Sequence, residues 1–338
     1  MSKKRDRREK ARLRDLEKKD ILKEEPVQGA EGEHTKKPQK SSILNKIKYV
    51  YENEYKKLVF ITLIILVLSL VQIGYQTATT GDFIYKGISL KGGLTITIPN
   101  VDYDNVELEN HLKDAFPESD LSVRTLVGVG GEKSFIVEAD ITDAESIKKL
   151  ESEISDKLGI SSESYTTNFV GSSLGSNFFR QVIISMIIAF ISMAIVVFIY
   201  FRVPIPSLAV ILSAFADIVE TIAILNIMGV KISTGGVAAI LMLIGYSVDT
   251  DILLTTRLLK RKEGTIEENI YSSVKTGLMM TITAIAAVVV GIIFAQSDSL
   301  KQIMLILLIG LIIDIPNTWI QNAGILKWYL KRKGEKAE

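Results

Sequence analysis

Six apolar runs, each about as long as a bilayer is thick, divide this 338-residue chain and leave little choice of architecture. They cover residues 58–74, 181–201, 207–229, 236–256, 275–295 and 303–325. A helix needs roughly 17 to 25 apolar residues to cross the hydrocarbon core, and only helices and closed barrels satisfy every backbone group there. The chain is 47% hydrophobic and 23% charged, and the two classes are segregated into blocks. Its net charge of +1 therefore says little, because it averages basic blocks against acidic ones.

Lys and Arg near the run ends set the orientation. Lys56, Lys57, Arg202, Arg257, Lys260, Arg261, Lys262, Lys327, Lys331, Arg332 and Lys333 all fall on one side after six crossings. The short loops opposite carry Lys231 and Lys301 alone. Both termini are thus expected in the cytoplasm of a multi-pass cell-membrane protein. Residues 1–57 read as a basic, largely disordered cytoplasmic tail beside anionic lipid, 181–326 as a five-helix bundle and 327–338 as a second basic tail. The tail has no aromatic interleaving, so no nucleic-acid partner is expected. The first apolar run begins too late for an ordinary cleavable signal.

The external segment 75–180 is about the size of one domain. Leu94 to Ile98 alternates as a strand and stops at Pro99, and 105–116 has helical spacing through Val106, Leu108, Leu112 and Phe116. Strands at 121–129 and 134–139 are joined across Gly130-Gly131, a helix covers 143–158, and a strand closes at 164–170. The order β-α-β-β-α-β describes a ferredoxin-like unit. The expected fold is an α-helical polytopic membrane protein of six transmembrane helices with one α+β ferredoxin-like extracytoplasmic domain.

With no cysteine and only His34 and His111, thiol, zinc and histidine chemistry find few candidates. We expect no enzyme, no cofactor and no metal centre. The informative residues are acids inside the spans: Asp217 and Glu220 in span three, Asp249 and Asp251 in span four, and Asp314 in span six. Each costs about 2.5–3.5 kcal/mol to insert at mid-membrane. Asp217, Asp249 and Asp314 lie nine or ten residues from the cytoplasmic ends, roughly 14 Å deep at 1.5 Å per residue. Glu220 shares a helix face with Asp217. No Lys or Arg lies in the interiors of spans three to six. Such acids suit a proton relay, with Asp249 the leading candidate, or, together with Ser247, Thr221 and Thr250, a sodium site; static packing is the plain alternative. Asp251 lies about 200° around the helix from Asp249 and is expected to pair with Arg257 or meet water. Small residues in spans three and five (Ala214, Ala216, Ala223; Ala284, Ala286, Ala287, Gly291) read as packing faces, and Pro316 as a kink or a tolerated membrane proline.

Three stretches carry a resemblance to the SecD/SecF family of the resistance-nodulation-division superfamily. Gly87 to Gly93, with Gly92, resembles the G-x-x-[FL]-x-G-G element after the first span. Val170-Gly171-Ser172-Ser173-Leu174-Gly175 resembles V-G-P-x-L-G ahead of the second. Ile244-Gly245-Tyr246-Ser247-Val248-Asp249-Thr250-Asp251, with Arg257 beyond, resembles the fourth-span G-Y-S-[IV]-N-D-T…R signature. Bacterial members read N-D-T where this chain reads Asp249-Thr250-Asp251, and have an arginine where it has Met279; the variant looks more like the archaeal members. The resemblance implies a complex with a SecD-type subunit, association with the Sec translocon channel, contact with the translocating polypeptide, and assistance to protein export coupled to ion flow through the acids. The alternative is a six-span half of a lipid or small-solute exporter of the same superfamily.

Overall fold

A computed structural model describes residues 49–127, 133–161, 164–260, 264–295 and 297–334. Among them, six helices are long and apolar enough to cross a membrane. The first, α1 (Tyr55–Thr80), ends at Gly81 in the left-handed region. The chain then pairs its 85–87 segment with the loop before the fourth span: Gly87 N–H donates to Ile232 O at 2.8 Å, and Ile232 N–H donates to Tyr85 O at 2.7 Å. One helical turn, α2 (Ile88–Lys91), leads into a small α+β domain.

This domain, called the ectodomain after its expected side of the membrane, runs β1 (Gly93–Ile98), α3 (Asn105–Ala115), β2 (Leu121–Val127), β3 (Lys133–Ala139), α4 (Ala144–Leu158) and β4 (Thr166–Val170). Its four strands form one antiparallel sheet ordered β2-β3-β1-β4, with Ile96 opposite Val137 and Val137 opposite Val123. Alternation does the rest. Leu94, Ile96, Ile98, Phe135, Val137, Leu121 and Val123 bury one face beneath Leu108 and Leu112 of α3 and Leu150 and Ile154 of α4. Ser122, Arg124 and Glu138 fall on the other face, which no ectodomain helix covers. Val106 is exposed and takes no part in this core. Asp104 and Asp143 cap the two helices; Asp143 accepts from Ser146 N–H at 2.8 Å, which holds its carboxyl below the usual carboxylate range. The turn across Gly130-Gly131 lies outside the described residues.

β4 passes into α5 (Ser172–Phe201) through Gly171 alone. The two glycine motifs meet here. Gly92 has φ +93°, and a Cβ on it would collide with Ser172 Cα; a Cβ on Gly175 would lie 2.7 Å from Gly92 N. Two backbones touch at this seam, which only glycine allows. Gly171 and Gly245 have open space around a Cβ, so packing demands glycine at neither.

α6 (Pro204–Ile227) and α7 (Thr234–Lys260) form the centre of the bundle with α9 (Asp298–Pro316), while α8 (Ile266–Phe294), α1 and α5 surround them. Ala214, Ala216 and Ala223 of α6 are buried packing residues, whereas Ala286 and Ala287 of α8 are exposed. The last span does not break at Pro316. It widens into a π-helical stretch, Asn317–Asn322, and continues as α10 (Ala323–Gly334). At the end away from the ectodomain, buried Lys327 pairs with Glu267 at 3.0 Å and donates to Glu52 O at 2.9 Å.

Candidate functional site: a buried acidic network

α7 presents one continuous inward stripe, Val237, Ile240, Ile244, Ser247, Asp251, Leu254 and Leu258, spaced alternately by three and four residues. Asp251 therefore points into the bundle, and Asp249, two positions earlier, must point out. This corrects the expectation drawn from depth alone. Asp249 is exposed beside Gly245 and Tyr246, and Asp251 is fully buried. Nor does Asp251 pair with Arg257, whose guanidinium donates to Ser272 O at 2.7 Å and Ser272 Oγ at 3.0 Å and so ties α7 to α8.

Four carboxyls converge inside: Asp217 (0% exposed) and Glu220 (5%) from α6, Asp251 (0%) from α7, and Asp314 (1%) from α9. Asn317 holds the α6 pair together, donating to Asp217 Oδ1 at 2.9 Å and Glu220 Oε2 at 3.1 Å. Ser247 Oγ donates to Asp217 in a short bond. Thr318 Oγ1 donates to Asp314 at 3.0 Å, and Thr250 Oγ1 lies 3.3 Å from the same carboxyl while donating to Ser247 O at 2.9 Å. Asn322 Nδ2 donates to Asp251 at 2.7 Å. Every partner is neutral. Among the described residues no Lys or Arg forms an ion pair with any of the four acids.

Most of these partners come from the π-helical stretch. Pro316 has no N–H to give to the carbonyl four residues back, and the following turn adopts the wider i→i+5 pattern. In a regular α-helix, positions five apart diverge by about 140°. Here Asn317, Thr318, Gln321 and Asn322 are all at most 1% exposed. Trp319 of the same turn lies against Gly277 of α8, and its carbonyl accepts from Tyr51 Oη at 2.7 Å. Sequence reading singled out Pro316 and missed the polar string behind it, although Asn-Thr-Trp-Ile-Gln-Asn inside an apolar span is itself a signal.

The network retains spare capacity. Glu220 Oε1, Asp251 Oδ2, Asn322 Oδ1, both amide atoms of Gln321 and the hydroxyls of Ser213, Thr221 and Thr255 are buried without a hydrogen-bond partner among the described residues. A polar group left so costs about 1–3 kcal/mol, and such groups in native structures have protons, water or ions to hold. Carboxyl, hydroxyl and amide oxygens without a fixed counter-ion can carry protons or a hard monovalent cation.

A six-helix polytopic bundle with an acidic interior and an α+β domain inserted after its first span is the build of an integral membrane protein. The sequence profile described as protein export membrane protein SecD/SecF, C-terminal, matches residues 150–332. The chain is 39% identical over 298 residues to protein-export membrane protein SecF of Pyrococcus furiosus, covering 87% of this chain and 97% of that one. It is 40% identical over 297 residues to SecF of Methanolacinia petrolearia, covering 85% and 99%. The chain belongs to the SecD/SecF family of protein-export membrane proteins, and within it to the SecF proteins. In fold it is similar to SecDF, a translocon-associated membrane protein from Thermus thermophilus, with a TM-score of 0.64 at 19% identity over 82% of this chain and 38% of that longer one.

Proposed function

We propose that the chain is the accessory subunit of a Sec protein translocase that works with a SecD-type subunit to assist export across the cell membrane. The observation that carries this is near-complete, end-to-end similarity to proteins named for protein export. The ectodomain, which we read as a ferredoxin-like unit, faces outward and meets the emerging polypeptide. Both termini face the cytoplasm, in keeping with the Lys/Arg bias of the loops.

The outward face of α7 is the side we assign to the SecD-type partner. Asp249 on bare lipid would cost about 2.5–3.5 kcal/mol, so a covering subunit is the economical arrangement. The exposed small residues Ala286 and Ala287 of α8 favour close helix approach as well. Ion coupling belongs to the buried set, Asp217, Glu220, Asp251 and Asp314. Copurification tests the assembly: a SecD-type subunit and channel proteins are expected with the wild-type chain, and Asp249→Leu is expected to weaken that recovery. Export by reconstituted membranes tests coupling. Asp251→Asn is expected to remove ion-gradient stimulation while leaving the complex intact. Full stimulation in that variant would reduce the network to packing.

A further inference from the structure

Lys231, in the loop between α6 and α7, and Lys301, in the first turn of α9, lie at the end of the bundle nearest the ectodomain. Both line one pocket of about 470 Å³, together with Arg124 and Ser122 from the uncovered face of the sheet. The rest of its wall includes Ile292 at the end of α8 and Leu305 near the start of α9. Three cations from three separated parts of the chain thus converge above apolar span ends.

Their existing bonds leave part of this charge unspent. Lys231 holds Asp120 at 2.9 Å and Arg124 holds Glu138 at 2.6 Å. Lys301 pairs with no carboxylate among the described residues, and Ser122 Oγ is buried without a partner. Gln302 fixes the floor: its amide donates to Lys231 O at 2.6 Å and accepts from Ser233 N–H at 3.0 Å. A pocket this size suits a headgroup. Cations over an apolar wall match an amphiphile better than a free ion, because the wall offers an ion nothing.

We propose that this pocket binds the phosphodiester of an anionic membrane lipid from the leaflet on the ectodomain side, with Lys301 and Arg124 at the phosphate, Ser122 donating to it, and the acyl chains running beside Ile292 and Leu305. Basic pockets between membrane helices recognise phospholipid heads in this way. The site pins the ectodomain to the membrane surface through lipid as well as through the Lys231–Asp120 pair.

Native mass spectrometry of the full chain tests this with phosphatidylglycerol, phosphatidylcholine and inorganic phosphate as probes. Wild-type protein is expected to retain phosphatidylglycerol about tenfold or more over phosphatidylcholine. Lys301→Gln with Arg124→Gln should bring the two lipids within about twofold of each other. Lys301→Gln alone breaks no ion pair among the described residues and should lose part of the preference, while Lys275→Gln on the opposite side keeps it. Equal retention of both lipids by wild type, or an undiminished preference in both pocket variants, would overturn the proposal. Displacement of phosphatidylglycerol by millimolar inorganic phosphate would overturn it in favour of a free-anion site, and competition by an acidic peptide in favour of a polypeptide site.

Discussion

Replacing Asn317 by leucine keeps volume and removes both donors that bridge α6 to the π-helical turn. Asp217 Oδ1 loses a 2.9 Å bond and Glu220 Oε2 a 3.1 Å bond. The two acids are then unequal. Asp217 still accepts from Ser247, whereas Glu220 has no donor left among the described residues, because its Oε1 is already unpartnered. Side-chain hydrogen bonds inside membrane bundles average about 0.6 kcal/mol and reach about 1.7. Two of them predict a loss of about 1–3 kcal/mol for Asn317→Leu. Glu220→Leu removes one acceptor together with an unsatisfied oxygen, and is expected to be nearly neutral on its own. In that background Asn317→Leu costs only the Asp217 bond, so the cycle should show coupling of about 0.6–1.7 kcal/mol. Reversible unfolding in mixed micelles measures all four corners. A harmless Asn317→Leu, or strict additivity, would refute the bridge and with it the idea that the π-turn organises the acids.

Gly92→Ala places a methyl against Ser172 at a left-handed backbone position, and is expected to cost about 2–5 kcal/mol by thermal unfolding, while Gly171→Ala is tolerated. Phe135→Ala empties a fully buried site in the ectodomain and should cost about 3–5 kcal/mol, read as selective loss of hydrogen-exchange protection in the sheet. The Asp143 carboxyl titrates lower in the folded protein than its ordinary value of 3.8, so its cap contributes above that value and is lost as pH falls through the lower, folded one. Protection of the first turn of α4, corrected for intrinsic exchange, should therefore fall below about pH 4 in wild type and change less in Asp143→Asn, which caps without titrating.

The membrane plan was readable because hydropathy is a long-range average that no tertiary contact overrules. All six spans are helices, and the ectodomain elements lie where period-two and helical patterns put them, with ends shifted by a few residues. Membrane helices run past the lipid, as α5 does from Ser172 although its apolar run starts near 181. The site was half legible. Asp217 and Glu220 needed only the helical repeat, but Asp249 against Asp251 turns on azimuth, and depth carries no azimuthal information. The stripe from Val237 to Leu258 held that information, since Asp251 is the one charge in an inward row otherwise made of apolar residues and Ser247. Asn317, Thr318, Gln321 and Asn322 were hidden for another reason: a π-turn changes the repeat itself, so an α-helical wheel scatters residues that the structure gathers.

One residue, Gly171, separates the last ectodomain strand from a 30-residue helix. At 1.5 Å per residue that helix is about 45 Å long, so a tilt of about 5° swings its far end by about 4 Å. With the Gly92–Gly175 seam acting as the fulcrum, the same rotation passes to β4 and moves the far end of that 5-residue strand by about 1.4 Å, for there is no slack chain to absorb it. The ectodomain rides on its second span as a hand does on a forearm.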